Sequence, residues 1–172
     1  MEQGTDGTMA SIAEAVEWGR AGRTGAARER LTELWGRIGP SGDPFHRCTL
    51  AHYLADLQDD PAEELRWDLR ALEAADTLTD ERAQRHDASL RVAAFRPSLQ
   101  LNLADDYRKL GRPDEARAHL ALARESLPAL GDDPYGGLIR DGVERLGALL
   151  ATEKPAWNTR DFDLQVSTDG NT

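Results

Sequence analysis

Apolar residues recur every three or four positions in two neighbouring segments, and this spacing constrains the fold more than any other feature. Leu103, Ala104 and Tyr107 share one face of a predicted helix, which Gly111 ends. A second apolar stripe follows at Ala116, Leu120 and Ala123. This pattern predicts a helical hairpin that cannot bury its apolar face alone, so it requires neighbouring hairpins stacked against it.

The same pattern occurs twice more towards the N-terminus. The first helices repeat at Ala15, Trp18 and Ala21, and again at Leu50, Ala51, Leu54 and Leu57. The second helices repeat at Ala27, Leu31 and Leu34, and again at Leu65, Leu69 and Leu72. Ala15, Ala51 and Ala104 are equivalent, which gives spacings of 36 and then 53 residues between hairpins. Small residues at these positions let paired helices approach closely.

These offsets resemble the tetratricopeptide repeat, whose period is about 34 residues. The resemblance covers about residues 9–130. It implies an all-α fold, a helix–turn–helix repeat solenoid made of three divergent hairpins, a long inserted helical segment and a C-terminal capping helix. An ordinary antiparallel helical bundle has the same periodicity and stays open as the alternative.

Changes in the pattern divide the chain into three parts. Residues 1–8 are polar and rich in glycine, so we expect a mobile N-terminus. Residues 9–151 form the predicted helical domain, and its last helix, over 135–151, is expected to cap the third hairpin. Residues 152–172 lose the periodicity and are predicted to form an extended or disordered tail.

The longer spacing before the third hairpin indicates an insertion near residues 76–96. Apolar residues continue at a spacing of four through Pro97, which favours one long, bent helical region over 81–110. A new helix that starts at Pro97 stays open as the alternative. Trp67 lies off the inner stripe of its helix, and we expect it to pack against this inserted segment.

Charge and composition limit the class of partner. The net charge of −10 disfavours binding to nucleic acid, because phosphate groups are repelled. No apolar stretch approaches the roughly 20 residues that cross a bilayer, and the polar start resembles no signal peptide. The single cysteine, Cys48, excludes an intrachain disulfide. These features predict a cytoplasmic protein without membrane contact, and 19 arginines against 2 lysines favour a GC-rich, bacterial genome.

In tetratricopeptide-like proteins, the first helix of each hairpin lines a concave groove that holds partner peptides. For this chain the resemblance implies a partner-binding groove that includes Phe45, Cys48, His52, Asp56, Leu101, Asn102, Asp105, Arg108 and Lys109. The Lys and Asn positions that grip a peptide carboxylate in some of these proteins hold other residues here: Ile12, Cys48 and Leu101 for Lys, and Val16, His52 and Asp105 for Asn. A chaperone-tail partner is therefore disfavoured, and the row His52, Asp105 and Arg108 favours a polar or basic ligand.

Motifs for catalysis or metal binding are missing from the sequence. It has no glycine-rich phosphate loop, no nucleophile elbow and no His-Glu-x-x-His motif. Cys48 and His52 share a helix face, but no second pair completes a zinc site. The acidic pairs, such as Asp105-Asp106, are interpreted as residues near helix ends, where carboxylates satisfy free amides.

We therefore predict a non-catalytic protein–protein interaction module, an adaptor or regulatory subunit, that binds a partner protein or peptide without a cofactor. Two alternatives stay open. One is a helical enzyme or small-molecule-binding protein with its pocket on the concave face around His52, Asp105 and Arg108. The other concerns assembly, because the sequence is compatible with a homo-oligomer as well as with a monomer.

Overall fold

The computed structural model describes residues 6–87 and 89–153, and this part of the chain is all-α without a strand. The helices are α1 (Gly7–Arg20), α2 (Thr24–Ile38), α3 (Pro44–Asp56), α4 (Pro61–Thr77), α5 (Asp80–Gln84), α6 (Arg96–Lys109), α7 (Pro113–Ser126) and α8 (Pro134–Thr152). Gly7 and Thr8 belong to α1, and residues 1–5 of the predicted mobile N-terminus lie outside the described residues. So do residues 154–172 of the predicted tail.

Local sequence signals set the start of most helices. Asp6, Asp43, Asp60, Thr79 and Asp133 each precede a helix and accept a hydrogen bond from a backbone N–H of its first turn. Helices α3, α4, α6, α7 and α8 carry a proline in the first turn, where its missing N–H leaves no bond unmade. These signals explain why α8, predicted over 135–151, spans 134–152.

The turns inside the first and third hairpins have the same geometry. Gly22 and Gly111 follow α1 and α6 with φ of 82° and 69°, a region that glycine adopts without strain. The backbone N–H of Arg112 donates to the carbonyl of Tyr107 at 2.8 Å, and that of Arg23 donates to Trp18 at 2.9 Å. Both turns therefore close with the same six-residue bond that commonly ends helices.

The predicted long helical region over 81–110 is wrong. Helix α5 ends at Gln84, a short 3-10 turn covers Val92–Ala94, and α6 begins at Arg96. The Asp87 carboxylate accepts bonds from the backbone N–H and the hydroxyl of Ser89, which stabilises a turn where a helix would have to continue. The inserted segment is therefore a short helix and a loop rather than a long helix.

Consecutive helices pack against one another along the chain. Helix α2 contacts α1 and α3, helix α4 contacts α3 and α6, and helix α7 contacts α6 and α8. Helix α3 also contacts α1, and α8 also contacts α6. The small residues that the pattern singles out, Ala15, Ala27, Ala51, Ala104 and Ala116, are all fully buried between these helices.

Two clusters join the hairpins to their neighbours. Val143, Leu146 and Leu150 of α8 pack against apolar residues of α6 and α7. Trp67 of α4 packs edge-on against Trp35 of α2, with ring centroids 5.2 Å apart. Helix α2 therefore supplies the aromatic partner of Trp67, and Phe95, at the end of the inserted segment, packs against the same buried cluster as Trp67.

Candidate functional site

Three hollows in the surface share one side chain, Tyr53 on α3. The first lies between α3 and the beginnings of α6 and α8. The second lies between α1, α2 and the end of α3, and the third between α1 and α3. The half-buried Tyr53 ring therefore stands where depressions from three helix pairs meet.

The first hollow is a half-open cavity of about 140 Å³, here called the α3–α6 cavity. Its lining residues are Phe45, Cys48, Thr49, His52, Tyr53, Phe95, Ser98, Leu99 and Tyr135. The residues on α3 recur once per turn, which aims them at the same side. Tyr135 donates a hydrogen bond of 2.9 Å to the hydroxyl oxygen of Ser98, so the first turns of α8 and α6 are fixed to each other at the rim.

Phe45 and Cys48, two of the predicted groove residues, lie at the floor of this cavity. They are only 5% and 7% exposed, because Phe45 packs with Leu78 and Ala83 of the inserted segment and Cys48 packs with α4. Burial, with the charge of Asp68, raises the pKa of the Cys48 thiol to about 12. Cys48 therefore stays protonated near neutral pH and lines the cavity as an apolar group.

His52 and Asn102 are brought together across the interface of α3 and α6. The amide nitrogen of Asn102 lies 3.4 Å from Nδ1 of His52 and also 3.4 Å from Oδ1 of Asp68 on α4. This predicted pair of residues therefore connects the rim of the cavity with a buried carboxyl group.

The other predicted charges pair with one another. Asp105 Oδ1 lies 2.8 Å from Nη2 of Arg108, and its Oδ2 lies 3.2 Å from Nζ of Lys109. Lys109 Nζ also lies 2.8 Å from Oε1 of Glu64 on α4, and Arg108 Nη1 lies 3.8 Å from Oε1 of Glu153. These charges tie α6 to α4 and to the end of α8, and they are already partnered within the chain.

Leu101 and Asp56, the remaining predicted residues, lie away from the cavity. Leu101 packs against the cluster between α6, α7 and α8. A Cβ atom added to Gly142 would lie 2.7 Å from Cδ2 of Leu101, so α8 comes close to α6 at this point. Asp56 is exposed at the last residue of α3. Asp56 lines the second hollow, so the predicted set is divided among the α3–α6 cavity, an ion-pair network, the contact with α8 and that hollow.

Sequence reasoning missed two buried carboxyl groups, Asp68 on α4 and Asp106 on α6. Each is 1% exposed, and their side chains are in hydrogen-bonding contact. Burial, with the like charges around them, raises the pKa of both Asp68 and Asp106 well above the ordinary carboxyl value. A sequence signal existed: Asp68 follows Leu65 by three positions and Asp106 follows Leu103 by three, which places both carboxyls on apolar stripes.

A second cluster of charges joins the beginnings of α1, α3 and α5, and its members are Asp6, Asp43, His46 and Arg82, here called the Arg82 cluster. The Arg82 guanidinium contacts the Asp43 carboxylate and lies 3.5 Å from the Asp6 carboxylate. Nε2 of His46 lies 2.6 Å from Oδ2 of Asp6. Burial alone would raise the pKa of Asp43, but hydrogen bonds from Arg82 and from the His46 backbone outweigh it and lower the pKa.

Two kinds of feature are absent from the described residues. No helix among them is both long and apolar enough to cross a bilayer. No group of three or more histidine, cysteine, aspartate or glutamate side chains in that part of the chain is arranged to hold a metal ion.

Comparison with known proteins gave no match that could help to interpret this geometry. No protein-family model matches the chain, and neither a curated protein nor a solved structure matches it.

Proposed function

We propose that the chain is a tetratricopeptide-like repeat protein that binds a partner peptide without catalysis, as an adaptor or regulatory subunit. The packing of α1 to α4, α6 and α7 in consecutive hairpins supports this repeat arrangement. The matching turns after α1 and α6 support the equivalence of the first and third hairpins. Helix α8 takes the place of the cap.

The α3–α6 cavity carries the proposal. Its walls contain four aromatic rings, from Phe45, Tyr53, Phe95 and Tyr135, together with the imidazole of His52. A cavity of about 150 Å³ with apolar walls holds a group the size of benzene. The volume and lining therefore suit one aromatic or large aliphatic side chain of a peptide, with the peptide backbone running across the rim.

The position of the cavity favours a peptide over a small ligand. The cavity is half-open, and through Tyr53 it adjoins the two hollows beside α1. An extended chain anchored in the cavity would have further depressions along its path. The expected polar or basic ligand is less well supported, because Asp105, Arg108 and Lys109 are partnered internally.

The state of the reactive side chains also favours a binding role. The Cys48 thiol is buried and its pKa is raised to about 12, so little thiolate forms near neutral pH. Asp68 and Asp106 have the raised pKa values that acid–base catalysts often show, but both are 1% exposed and a substrate would not reach them.

The experiment is a selection from a random peptide library, followed by affinity measurements with two cavity variants. We expect recovered peptides to share one aromatic or large aliphatic residue. Tyr53→Ala and Tyr135→Ala should each weaken binding at least about tenfold, the loss typical of a side chain at the centre of a contact.

Leu122→Ala on α7 is the matched control, because Leu122 and Tyr135 have similar exposure, 45% and 47%. We expect this control to bind like the wild type. Failure to recover any peptide, or affinities that neither tyrosine variant lowers, would contradict the proposal. Aromatic fragments that bind in a thermal-shift screen where no peptide does would favour the small-ligand alternative.

A further inference from the structure

The Asp68 and Asp106 carboxyls form an arrangement that two ionised groups would not tolerate. They come from different helices, α4 and α6, and both are almost completely removed from solvent. Oδ2 of Asp106 is buried, and no N–H or O–H group of the described residues donates a hydrogen bond to it. A proton on Asp68 supplies the missing donor, because the two side chains are already in hydrogen-bonding contact.

Few positive charges lie around the contact between Asp68 and Asp106. Helix α3 contributes the neutral Cys48 thiol, His52 and Asp56, and α4 contributes Glu64. Helix α6 contributes Asn102, Asp105 and Lys109. Lys109 is the one lysine among these surrounding residues, and its ammonium already forms ion pairs with Glu64 and Asp105. Two full negative charges at the pair would therefore lack compensation.

We propose that Asp68 and Asp106 share one buried proton and act as a pH-sensitive latch between α4 and α6. With the proton in place, the carboxyl–carboxylate bond holds the second hairpin against the third. When the proton leaves as the pH rises, two like charges face each other across this contact and push the helices apart. Asn102 lies against both Asp68 and His52, so the displacement reaches the rim of the α3–α6 cavity.

The sign of the effect on stability follows from proton linkage. The folded chain keeps a proton that the unfolded chain releases near the ordinary carboxyl pKa of about 4. The contribution of the latch is therefore complete below that pH and is lost as the pH rises through the raised pKa values. Over that range the unfolding equilibrium constant should rise about tenfold per pH unit for one proton.

The test is chemical unfolding of the full chain between pH 5 and pH 8, with wild type, Asp68→Asn and Asp106→Asn. The amide in each variant cannot ionise and imitates the size of the protonated acid. We expect the unfolding constant of each variant, divided by that of wild type, to fall about tenfold per pH unit over part of this range. Asp141→Asn, at an exposed position of α8, should keep the wild-type dependence.

Ratios that stay constant from pH 5 to pH 8 for both variants would overturn the proposal. If neither variant folds, carboxyl carbon NMR of wild type labelled at aspartate decides the question. We expect one buried aspartate to stay protonated at pH 6 and to titrate above it. A spectrum in which every aspartate has ionised by pH 5 would overturn the latch.

Discussion

The Arg82 cluster and the Asp68–Asp106 pair are built from the same residue type and have opposite electrostatics. In the first, Asp6 and Asp43 face Arg82 and His46, and the pKa values of both carboxyls are lowered although burial alone would raise them. In the second, two carboxyls face each other, and burial with like charge raises both pKa values. What lies opposite a buried carboxyl therefore decides the sign of its shift.

This difference gives the two contacts opposite responses to pH. The carboxylates of the Arg82 cluster stabilise the fold above the ordinary carboxyl pKa, and their contribution is lost as the pH falls through their lowered pKa values. The Asp68–Asp106 pair stabilises the fold in acid and loses its contribution as the pH rises. The beginnings of α1, α3 and α5 are thus tied by charge attraction, and the contact between α4 and α6 is tied by a proton.

The largest effect is expected from Arg82→Met, which keeps the apolar stem but leaves Asp6 and Asp43 without their cation. We expect the free energy of unfolding at pH 7 to fall by about 2 kcal/mol, because partly buried carboxylates lose charged hydrogen bonds. Urea unfolding at pH 7 and pH 3 measures this loss, which should shrink in acid as the carboxylates become protonated.

Arg85→Met is the control for this change, since Arg85 lies exposed one residue after α5. Its effect should stay within about 0.5 kcal/mol. An equal loss for Arg82→Met at both pH values would assign the effect to packing of the Arg82 side chain over the Phe45 ring instead of to charge.

A smaller effect is expected from Asn102→Ala, which removes the amide beside Asp68. The Asn102 bond favours the ionised form of Asp68, so its loss should raise the pKa of that carboxyl further. The free energy of unfolding should fall by about 1 kcal/mol. Carboxyl carbon NMR measures the titration, and a titration that moves to lower pH would show that Asn102 does not stabilise the charge.

The smallest effect is expected from Arg66→Ala, which breaks an ion pair with Glu63 on the surface of α4. Water screens this pair, so the free energy of unfolding should change by less than about 0.5 kcal/mol at any pH. Urea unfolding at pH 5 and pH 8 provides the measurement. A loss as large as that of Arg82→Met would show that burial is not what makes the Arg82 ion pairs contribute more than a surface ion pair.

Local signals made most of the helices predictable from the sequence. Proline and aspartate at the start of α3 and α8, and Gly111 after α6, act within a few residues of the boundary they set. The break before α6 was the alternative that the sequence did not favour, because the apolar spacing runs through Pro97 without interruption. The turn that breaks it depends on Asp87, and on the Asp80 carboxylate that accepts a bond from the backbone N–H of Val92.

The candidate site was less predictable, because it depends on which helices become neighbours. The resemblance to tetratricopeptide repeats implied that Phe45 and Cys48 lie on an open groove. In the structure, the inserted segment and α4 cover them. Asp68 and Asp106 are nearly 40 positions apart in the sequence, and only the packing of α4 on α6 joins their carboxyls. The sequence signal was a charged residue on an apolar helix stripe. This signal singles out Asp68 and Asp106 as buried carboxyls, but it does not show that they contact each other.

The most direct test of the proposed function is an NMR titration of the isotope-labelled chain with a peptide recovered from the library selection. If the α3–α6 cavity holds the peptide side chain, the largest amide shifts should surround Tyr53, Ser98 and Tyr135, and the outer face of α7 around Leu122 should stay unchanged. Shifts centred on α7, or on any surface that leaves these three residues unaffected, would contradict peptide binding at the cavity.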